Sequence, residues 1–218
     1  MNKKNYSIIL FDLDGTITDS GEGVTNSVIY ALEKYGIKTE DRAELYRFIG
    51  PPLIDSFMKF YNFEYEKAVE AVAYYRENYQ DKGIWENSVY EGIPQLLKDL
   101  NALGKRVLVA TSKPEVFAKR ILEKHDIAKY FEFIAGASMD ETRSQKDEVI
   151  RYALETCNIT DMSEIIMVGD TEFDIIGANK FGMDSVGVLF GYGTKEEMEK
   201  DGATYICERV DDLRKILV

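Results

Sequence analysis

The sequence lacks any apolar run long enough to cross a membrane, since no stretch of 18 or more apolar residues occurs in its 218 positions. Cysteine is nearly absent as well. Cys157 and Cys207 are the only two, and they are far apart without CxxC spacing. We therefore expect two ordinary core thiols, and neither a disulfide framework nor a thiolate metal site.

Positive charge is also scarce, with 27 Lys and Arg against 39 Asp and Glu and a net charge of −12. Such a surface repels nucleic acid polymers and anionic membranes, so neither is an expected partner. A small anionic substrate is compatible with this charge, because a bound cation and a few lysines can reverse the potential inside one pocket. The apolar run at residues 7–11 is too short for a signal peptide and leads directly into acidic residues, so we expect a buried strand in a cytoplasmic protein.

Short apolar segments alternate with segments of helical periodicity along most of the chain. The apolar segments predict strands at residues 8–11, 106–110, 133–136, 165–168, 185–189 and 204–207. The helical stripes are Leu96/Leu97/Leu100/Leu103, Val149/Ala153/Cys157 with Ile150/Leu154, and Val210/Leu213/Leu217. Strand-helix alternation predicts an α/β fold, a Rossmann-like parallel sheet flanked by helices.

Residues 17–87 interrupt this alternation and contain no convincing strand. Two amphipathic stripes occur there, Val24/Val28/Ala31/Tyr35 and Ala68/Val72/Tyr75/Tyr79, and a further helix is expected over residues 53–60 after Pro51-Pro52. An insertion of this length is too long for a loop. We predict an all-helical cap domain at 17–87 and a core domain at 1–16 and 88–218; the alternative is extra helices packed on the sheet.

Polar residues follow the predicted strands and open one predicted helix. They are Asp12 and Asp14 after the first strand, Thr111 and Ser112 after the second, Lys146 near a helix start, and Asp170 and Asp174 after the strand at 165–168. Ligands bind at the carboxyl ends of parallel strands, so these groups should share one edge. Clustered carboxylates repel each other unless a cation lies among them, and all-oxygen ligands favour Mg²⁺.

Each element also has a plain structural explanation. Asp12 and Asp14 before Gly15 are compatible with a simple turn, and Ser112, Ser144 and Thr171 each fit a helix-capping pattern. Capping and phosphate binding are nevertheless compatible, because helix N-termini offer free N–H groups. The four elements together, in this order, favour a functional site.

The motifs Asp12-Leu13-Asp14-Gly15-Thr16, Thr111-Ser112, Lys146 and Gly169-Asp170-xxx-Asp174 resemble those of the haloacid dehalogenase superfamily of phosphatases. The segments at 49–53, 109–114 and 187–193 resemble its phosphoglycolate phosphatase and 5′-nucleotidase branch, which has a helical cap. The resemblance implies an enzyme that transfers a phosphoryl group from a small phosphate ester to Asp12 and then to water.

The resemblance also implies the other roles. Asp14 would exchange protons with the leaving group and the attacking water, and would lend a backbone carbonyl to Mg²⁺. Thr111, Ser112 and Lys146 would hold phosphoryl oxygens, with Lys146 also catalytic. Asp12, Asp14 and Asp170 would bind the metal and Asp174 would support it. In the cap, Arg47 and Arg76 are the candidate substrate-binding cations, although ordinary solvated arginines are an alternative.

Other functions stay open at this point. A sugar-phosphate mutase would share all four motifs and a cap. A dehalogenase needs no metal, and a receiver domain carries its phosphoacceptor on a separate strand, so both fit less well. A phosphate-binding protein without activity is the non-enzyme alternative. Neither the substrate (phosphoglycolate, a nucleoside 5′-monophosphate or another small ester) nor the oligomeric state is encoded in a recognisable motif. The aromatic run Phe57, Phe60, Tyr61, Phe63 is interpreted as cap core, with a substrate platform as the alternative.

Overall fold

A computed structural model of the protein describes residues 4–140 and 142–218. Its strands are β1 (Ile8–Phe11), β2 (Thr18–Asp19), β3 (Ser88–Val89), β4 (Arg106–Pro114), β5 (Phe133–Ala137), β6 (Ile165–Gly169), β7 (Asp184–Val188) and β8 (Tyr205–Cys207). Its helices are α1 (Gly21–Glu33), α2 (Leu53–Tyr61), α3 (Tyr65–Tyr79), α4 (Ile93–Ala102), α5 (Glu115–Lys124), α6 (Lys146–Thr156), α7 (Glu172–Lys180), α8 (Lys195–Lys200) and α9 (Val210–Leu217). Short 3₁₀ helices lie at Arg42–Phe48, Gly83–Trp85 and Ala128–Tyr130.

Six strands form one sheet in the order β5-β4-β1-β6-β7-β8, and every neighbouring pair is parallel. Each strand returns through a helix, as parallel pairing requires. The predicted α/β fold with a parallel sheet and flanking helices is therefore confirmed.

The register of β1 fixes where the strand ends meet. Phe11 pairs with Val109 of β4 on one side and with Val168 of β6 on the other. The residues that follow these three positions therefore emerge at the same edge of the sheet, the edge to which ligands bind in such folds. β1 is buried along its whole length, as expected for a central strand covered on both faces.

The chain forms two compact units, one comprising the residues up to Thr18 together with Val89–Val218, and the other Asp19–Ser88. The first unit contains the six-stranded sheet. The second contains α1, α2, α3 and two of the 3₁₀ helices. The chain passes between the units at β2 and β3, which pair as a separate two-stranded sheet. We refer to Asp19–Ser88 as the helical unit.

The helical unit is built around apolar faces that the sequence predicts. Val24, Val28 and Ala31 of α1 are buried, and so are the four stripe positions of α3. An aromatic cluster formed by Phe48, Phe57, Phe60, Tyr61 and Phe63 joins α2 to the 3₁₀ helix that ends at Phe48.

The structure differs from the predicted elements at the ends of β4 and α4. Strand β4 continues past Ala110 to Pro114, with a register shift between Thr111 and Pro114. Leu103 lies beyond the end of α4 and is exposed rather than part of its buried face.

Within the described residues, no helix is long and apolar enough to cross a membrane.

Candidate active site

Asp12 and Asp14 lie in a tight loop that directly follows β1. The carbonyl of Leu13 accepts hydrogen bonds from the N–H groups of Ile17 and Thr18, both at 2.9 Å. Gly15 has a φ of +79°, a conformation that favours glycine, and this lets the chain reverse after Asp14. The loop buries both aspartates, which are 3% and 9% exposed.

Lys146 is the first residue of α6, and its ammonium lies among three oxygens. It is 2.8 Å from Asp12 Oδ1 and 2.7 Å from Asp174 Oδ1, and it donates to the carbonyl of Ala110 at 3.1 Å. The contact with Ala110 is a hydrogen bond, and those with Asp12 and Asp174 are ion pairs. The structure thus brings Lys146 to Asp12 at this edge of the sheet and adds Asp174 as its second partner.

Asp174 has a further contact that the sequence also suggests. Its Oδ2 accepts hydrogen bonds from the Thr171 N–H and hydroxyl, at 3.1 and 3.0 Å, in a capping box at the start of α7. Both carboxylate oxygens of Asp174 are therefore already in contact with protein groups.

Asp170 is fully buried, and two glycines, Gly15 and Gly191, lie close to its carboxylate. Its Oδ2 accepts a hydrogen bond from the Tyr192 N–H at 2.8 Å. A Cβ added at Gly15 would lie 2.0 Å from that same oxygen, and one at Gly191 would lie 2.4 Å from it. These glycines leave room for the carboxylate and fix its direction.

Thr111 and Ser112 lie where β4 passes the aspartates. Thr111 is buried, and its hydroxyl contacts Asp12, where the hydrogen bond acts to lower the pKa of that carboxyl. Ser112 is half-buried. The capping pattern that Ser112 suggests in the sequence does not form, because α5 begins at Glu115 with Pro114 at its N-cap.

Lys113 is a site residue that the sequence motifs do not single out. Its ammonium lies 2.6 Å from Asp14 Oδ2, and both side chains are largely buried. The segment at 109–114 that resembles the phosphoglycolate phosphatase and 5′-nucleotidase branch includes Lys113, but this resemblance gives the lysine no role.

Burial dominates the electrostatics of the cluster. It raises the pKa of Asp12 to about 6, with Lys146 acting in the opposite direction and Asp174 adding to the increase. Burial, followed by Asp174 and Asp12, also raises the pKa of Asp170 well above its ordinary value. Burial lowers the pKa of Lys146, but Asp12 and Asp174 outweigh it and keep the ammonium charged.

These residues fit a divalent cation. Asp12, Asp170 and Asp174 can each offer one carboxylate oxygen within 4.8 Å of the others, and all three are buried. A single lysine ammonium among them leaves excess negative charge out of water, which is costly unless a cation balances it. Oxygen donors alone favour a hard ion.

The two arginines predicted to bind substrate belong to the helical unit. Arg47 stacks on the ring of Phe60, 4.2 Å from its centroid, and Arg76 lies half-buried on α3. The helical unit also contains a cleft of about 550 Å³ whose lining includes Arg42, Tyr46 and Trp85 but neither Arg47 nor Arg76.

Comparison with known proteins identifies one family and several relatives with different names. The haloacid dehalogenase-like hydrolase family matches residues 9–188. A 5′-nucleotidase of Pseudomonas aeruginosa is 42% identical over 97% of this chain and 96% of its own. A phosphoglycolate phosphatase of Colwellia psychrerythraea is 25% identical, over 98% and 97%. The tyrosine-protein kinase PtkA of Mycobacterium tuberculosis is 38% identical, over 96% of this chain and 72% of that protein.

A solved structure supports the same assignment. A predicted phosphatase from Clostridium acetobutylicum superposes with a TM-score of 0.95 at 50% identity, covering 97% of this chain and 98% of that one. The resemblance inferred from the motifs is thereby confirmed. The family match, the 5′-nucleotidase relative and the solved structure together show that the chain belongs to the haloacid dehalogenase-like hydrolases and is a phosphatase of that family.

Proposed function

We propose that the protein is a Mg²⁺-dependent phosphomonoester hydrolase that acts on a small phosphorylated metabolite through a phosphorylated Asp12. The observation that carries this proposal is the position of Asp12, which is buried at the sheet edge, 2.8 Å from Lys146 and within reach of Asp170 and Asp174. A carboxylate held in this way can attack phosphorus, and the ammonium restrains its direction.

The other residues divide the remaining work. Asp14 exchanges the proton with the leaving oxygen and then with water. Its Oδ1 is buried and, among the described residues, has no hydrogen-bond partner, which is compatible with this role. The Thr111 hydroxyl and the Ser112 N–H hold phosphoryl oxygens. Stabilising charge by fixed donors of this kind supplies most of the catalysis in phosphoryl transfer.

Asp12, Asp170 and the backbone carbonyl of Asp14 would hold Mg²⁺. When bound, the ion supplies positive charge that offsets the charge of the phosphoryl group and of the carboxylates. For Asp174 we propose a supporting role, since its two oxygens already contact Lys146 and Thr171. It keeps Lys146 beside Asp12.

We propose that the helical unit acts as a cap that selects the leaving group, with its cleft or Arg47 and Arg76 as candidate contacts. The similarity to a 5′-nucleotidase favours a nucleoside 5′-monophosphate as substrate, and phosphoglycolate is the next candidate. A sugar-phosphate mutase is the alternative reaction on the same residues.

A phosphate-release panel tests the proposal. We expect the wild-type protein to release phosphate from small phosphomonoesters with Mg²⁺ and without a bisphosphate activator, and the panel to rank the substrates. A chelator and the substitution Asp12→Asn should each lower turnover by at least about a thousandfold, because both remove a group required in the first step. Wild-type turnover in Asp12→Asn would refute the mechanism, and a requirement for a bisphosphate activator would indicate a mutase.

A further inference from the structure

Asp14 forms an ion pair with a lysine of its own. Lys113 Nζ lies 2.6 Å from Asp14 Oδ2, and the two side chains are only 5% and 12% exposed. Taking two charges out of water is costly, so a buried pair is weak evidence for stability alone. The pair therefore calls for a functional explanation.

The backbone of β4 directs Lys113 to this position. The pairing of β4 with β5 shifts register between Thr111 and Pro114, so Ser112 and Lys113 lie in the irregular segment. The Thr111 hydroxyl accepts a hydrogen bond from the Lys113 N–H at 3.2 Å. Gly136 of β5 permits the close approach, because a Cβ there would lie 2.7 Å from the Lys113 carbonyl oxygen. Such irregularities commonly redirect a side chain beside an active site.

The ion pair makes the two oxygens of Asp14 different. Oδ2 is held by the ammonium, whereas Oδ1 is buried and has no hydrogen-bond partner among the described residues. Buried carboxylate oxygens are normally satisfied, so Oδ1 is positioned for a group that arrives with the substrate.

Lys146 is the partner of other groups and does not hold Asp14. Its ammonium already forms ion pairs with Asp12 and Asp174 and a hydrogen bond with the carbonyl of Ala110. The two aspartates of the loop after β1 thus have separate lysines, Lys146 for Asp12 and Lys113 for Asp14.

We propose that Lys113 is a positioning residue for proton transfer: it fixes Asp14 Oδ2, so that Oδ1 carries the exchanged proton. The inference rests on the proposed hydrolysis. In the first step the ester P–O bond breaks as the bond from Asp12 to phosphorus forms, and the proton on Oδ1 moves to the leaving oxygen. In the second step water attacks phosphorus, one of its protons moves to Oδ1, and the bond between Asp12 and phosphorus breaks, which frees the Asp12 carboxylate and releases inorganic phosphate. Lys113 keeps its protons throughout.

The test compares Lys113→Met with Lys119→Met. Lys119 is the matched control. It also forms an ion pair, with Glu115, but its side chain is 45% exposed and has no role in the proposed mechanism. The substrates are the best alkyl phosphate of the panel and p-nitrophenyl phosphate, whose leaving group needs no proton.

For the alkyl ester, Lys113→Met should lower kcat by about a hundredfold or more with KM within about threefold, the usual share of acid–base catalysis. For p-nitrophenyl phosphate, it should give a burst of one nitrophenolate per enzyme followed by slow turnover, because water attack still needs Asp14. Lys119→Met should resemble wild type, and Lys113→Arg should recover part of the loss.

If Lys113→Met is unstable, Lys113→Gln can replace it. A double-mutant cycle with Asp14→Asn then tests whether the lysine acts through Asp14. Either substitution should add no further loss in an Asp14→Asn background. Additive losses, equal losses for both esters without a burst, or a raised KM at unchanged kcat would overturn the inference. Inactive Asp12→Asn together with a wild-type-like Lys113→Met would reject this inference alone, whereas active Asp12→Asn would reject the proposed function.

Discussion

At the scale of single residues, glycines make room for the acidic cluster. Gly15 and Gly191 each approach the Asp170 carboxylate more closely than any side chain could, and Gly193 approaches its backbone carbonyl in the same way. The branch resemblance at residues 187–193 thereby has a physical basis, because this segment passes directly over Asp170 and donates the Tyr192 N–H to it.

Gly15→Ala should destabilise the protein and abolish metal binding. Its φ of +79° is strained for alanine, and the new Cβ would collide with Asp170 Oδ2. Gly36→Ala is the control, since Gly36 has a φ of +70° but nothing within 4 Å of a new Cβ. We expect a loss of about 1 kcal/mol at Gly36 from strain alone, and about 2–4 kcal/mol at Gly15. Urea unfolding and Mg²⁺-dependent thermal shift measure both, and equal losses with intact Mg²⁺ binding would contradict the prediction.

Sequence motifs could predict the residues that meet at this edge, because the register of β1 with β4 and β6 places the ends of parallel strands together. They could not predict the pairing within the cluster. The contact of Lys113 with Asp14 depends on the register shift in β4, and that shift depends on β5, more than twenty residues away. No local pattern encodes such a contact.

At the scale of elements, the aromatic cluster holds the helical unit together. Phe57 is fully buried, and its ring lies 5.0 Å from that of Phe48 and 6.1 Å from that of Phe63. Phe60, by contrast, is half-buried under Arg47. These positions support the interpretation of the aromatic run as core rather than as a substrate platform.

Phe57→Ala should therefore act on stability and not on substrate binding. Removing a buried phenylalanine costs about 3–5 kcal/mol, and Phe60→Ala should cost clearly less. Urea unfolding followed by circular dichroism measures the free energy of unfolding, and kinetics below the midpoint measure KM. A raised KM in Phe57→Ala at unchanged stability would favour the substrate-platform alternative.

The helices and strands could be predicted where the apolar residues recur with a clear period. They were harder to predict where contacts with other parts of the fold determine the local structure. The stripes of α1 and α3 and the run over α2 follow the sequence pattern. The 3₁₀ helix at Arg42–Phe48 does not: it is capped by Asp41 and tied to α1 through Arg42, which donates to the Thr25 hydroxyl at 2.7 Å. Its form comes from these contacts rather than from a repeat of apolar residues.

At the scale of the whole molecule, the net charge of −12 and the buried acidic cluster make the stability of the folded state depend on pH. Burial raises the pKa of Asp12 to about 6 and that of Asp170 well above its ordinary value. The metal-free folded state therefore holds protons that the unfolded chain, with carboxyl pKa values near 4, has released. Stability falls as pH rises wherever the folded state binds more protons.

We expect the metal-free protein to lose stability as the pH rises from about 4 through about 6, the interval between the pKa of Asp12 in the unfolded and in the folded state. Mg²⁺ should stabilise it more at pH 7 than at pH 5, because cation and protons compete for the same carboxylates. Thermal melts with EDTA or Mg²⁺ measure both effects. In Asp170→Asn the pH dependence and the Mg²⁺ effect should shrink together, and a larger Mg²⁺ effect at pH 5 would contradict this account.

The paired strands β2 and β3 bring the entry and the exit of the helical unit side by side. A segment whose two ends are neighbours can be lengthened, exchanged or redesigned while the sheet that carries Asp12 keeps its register. Because we propose that the helical unit selects the leaving group, we expect chimeras joined at Thr18–Asp19 and Ser88–Val89 to give this core a new substrate.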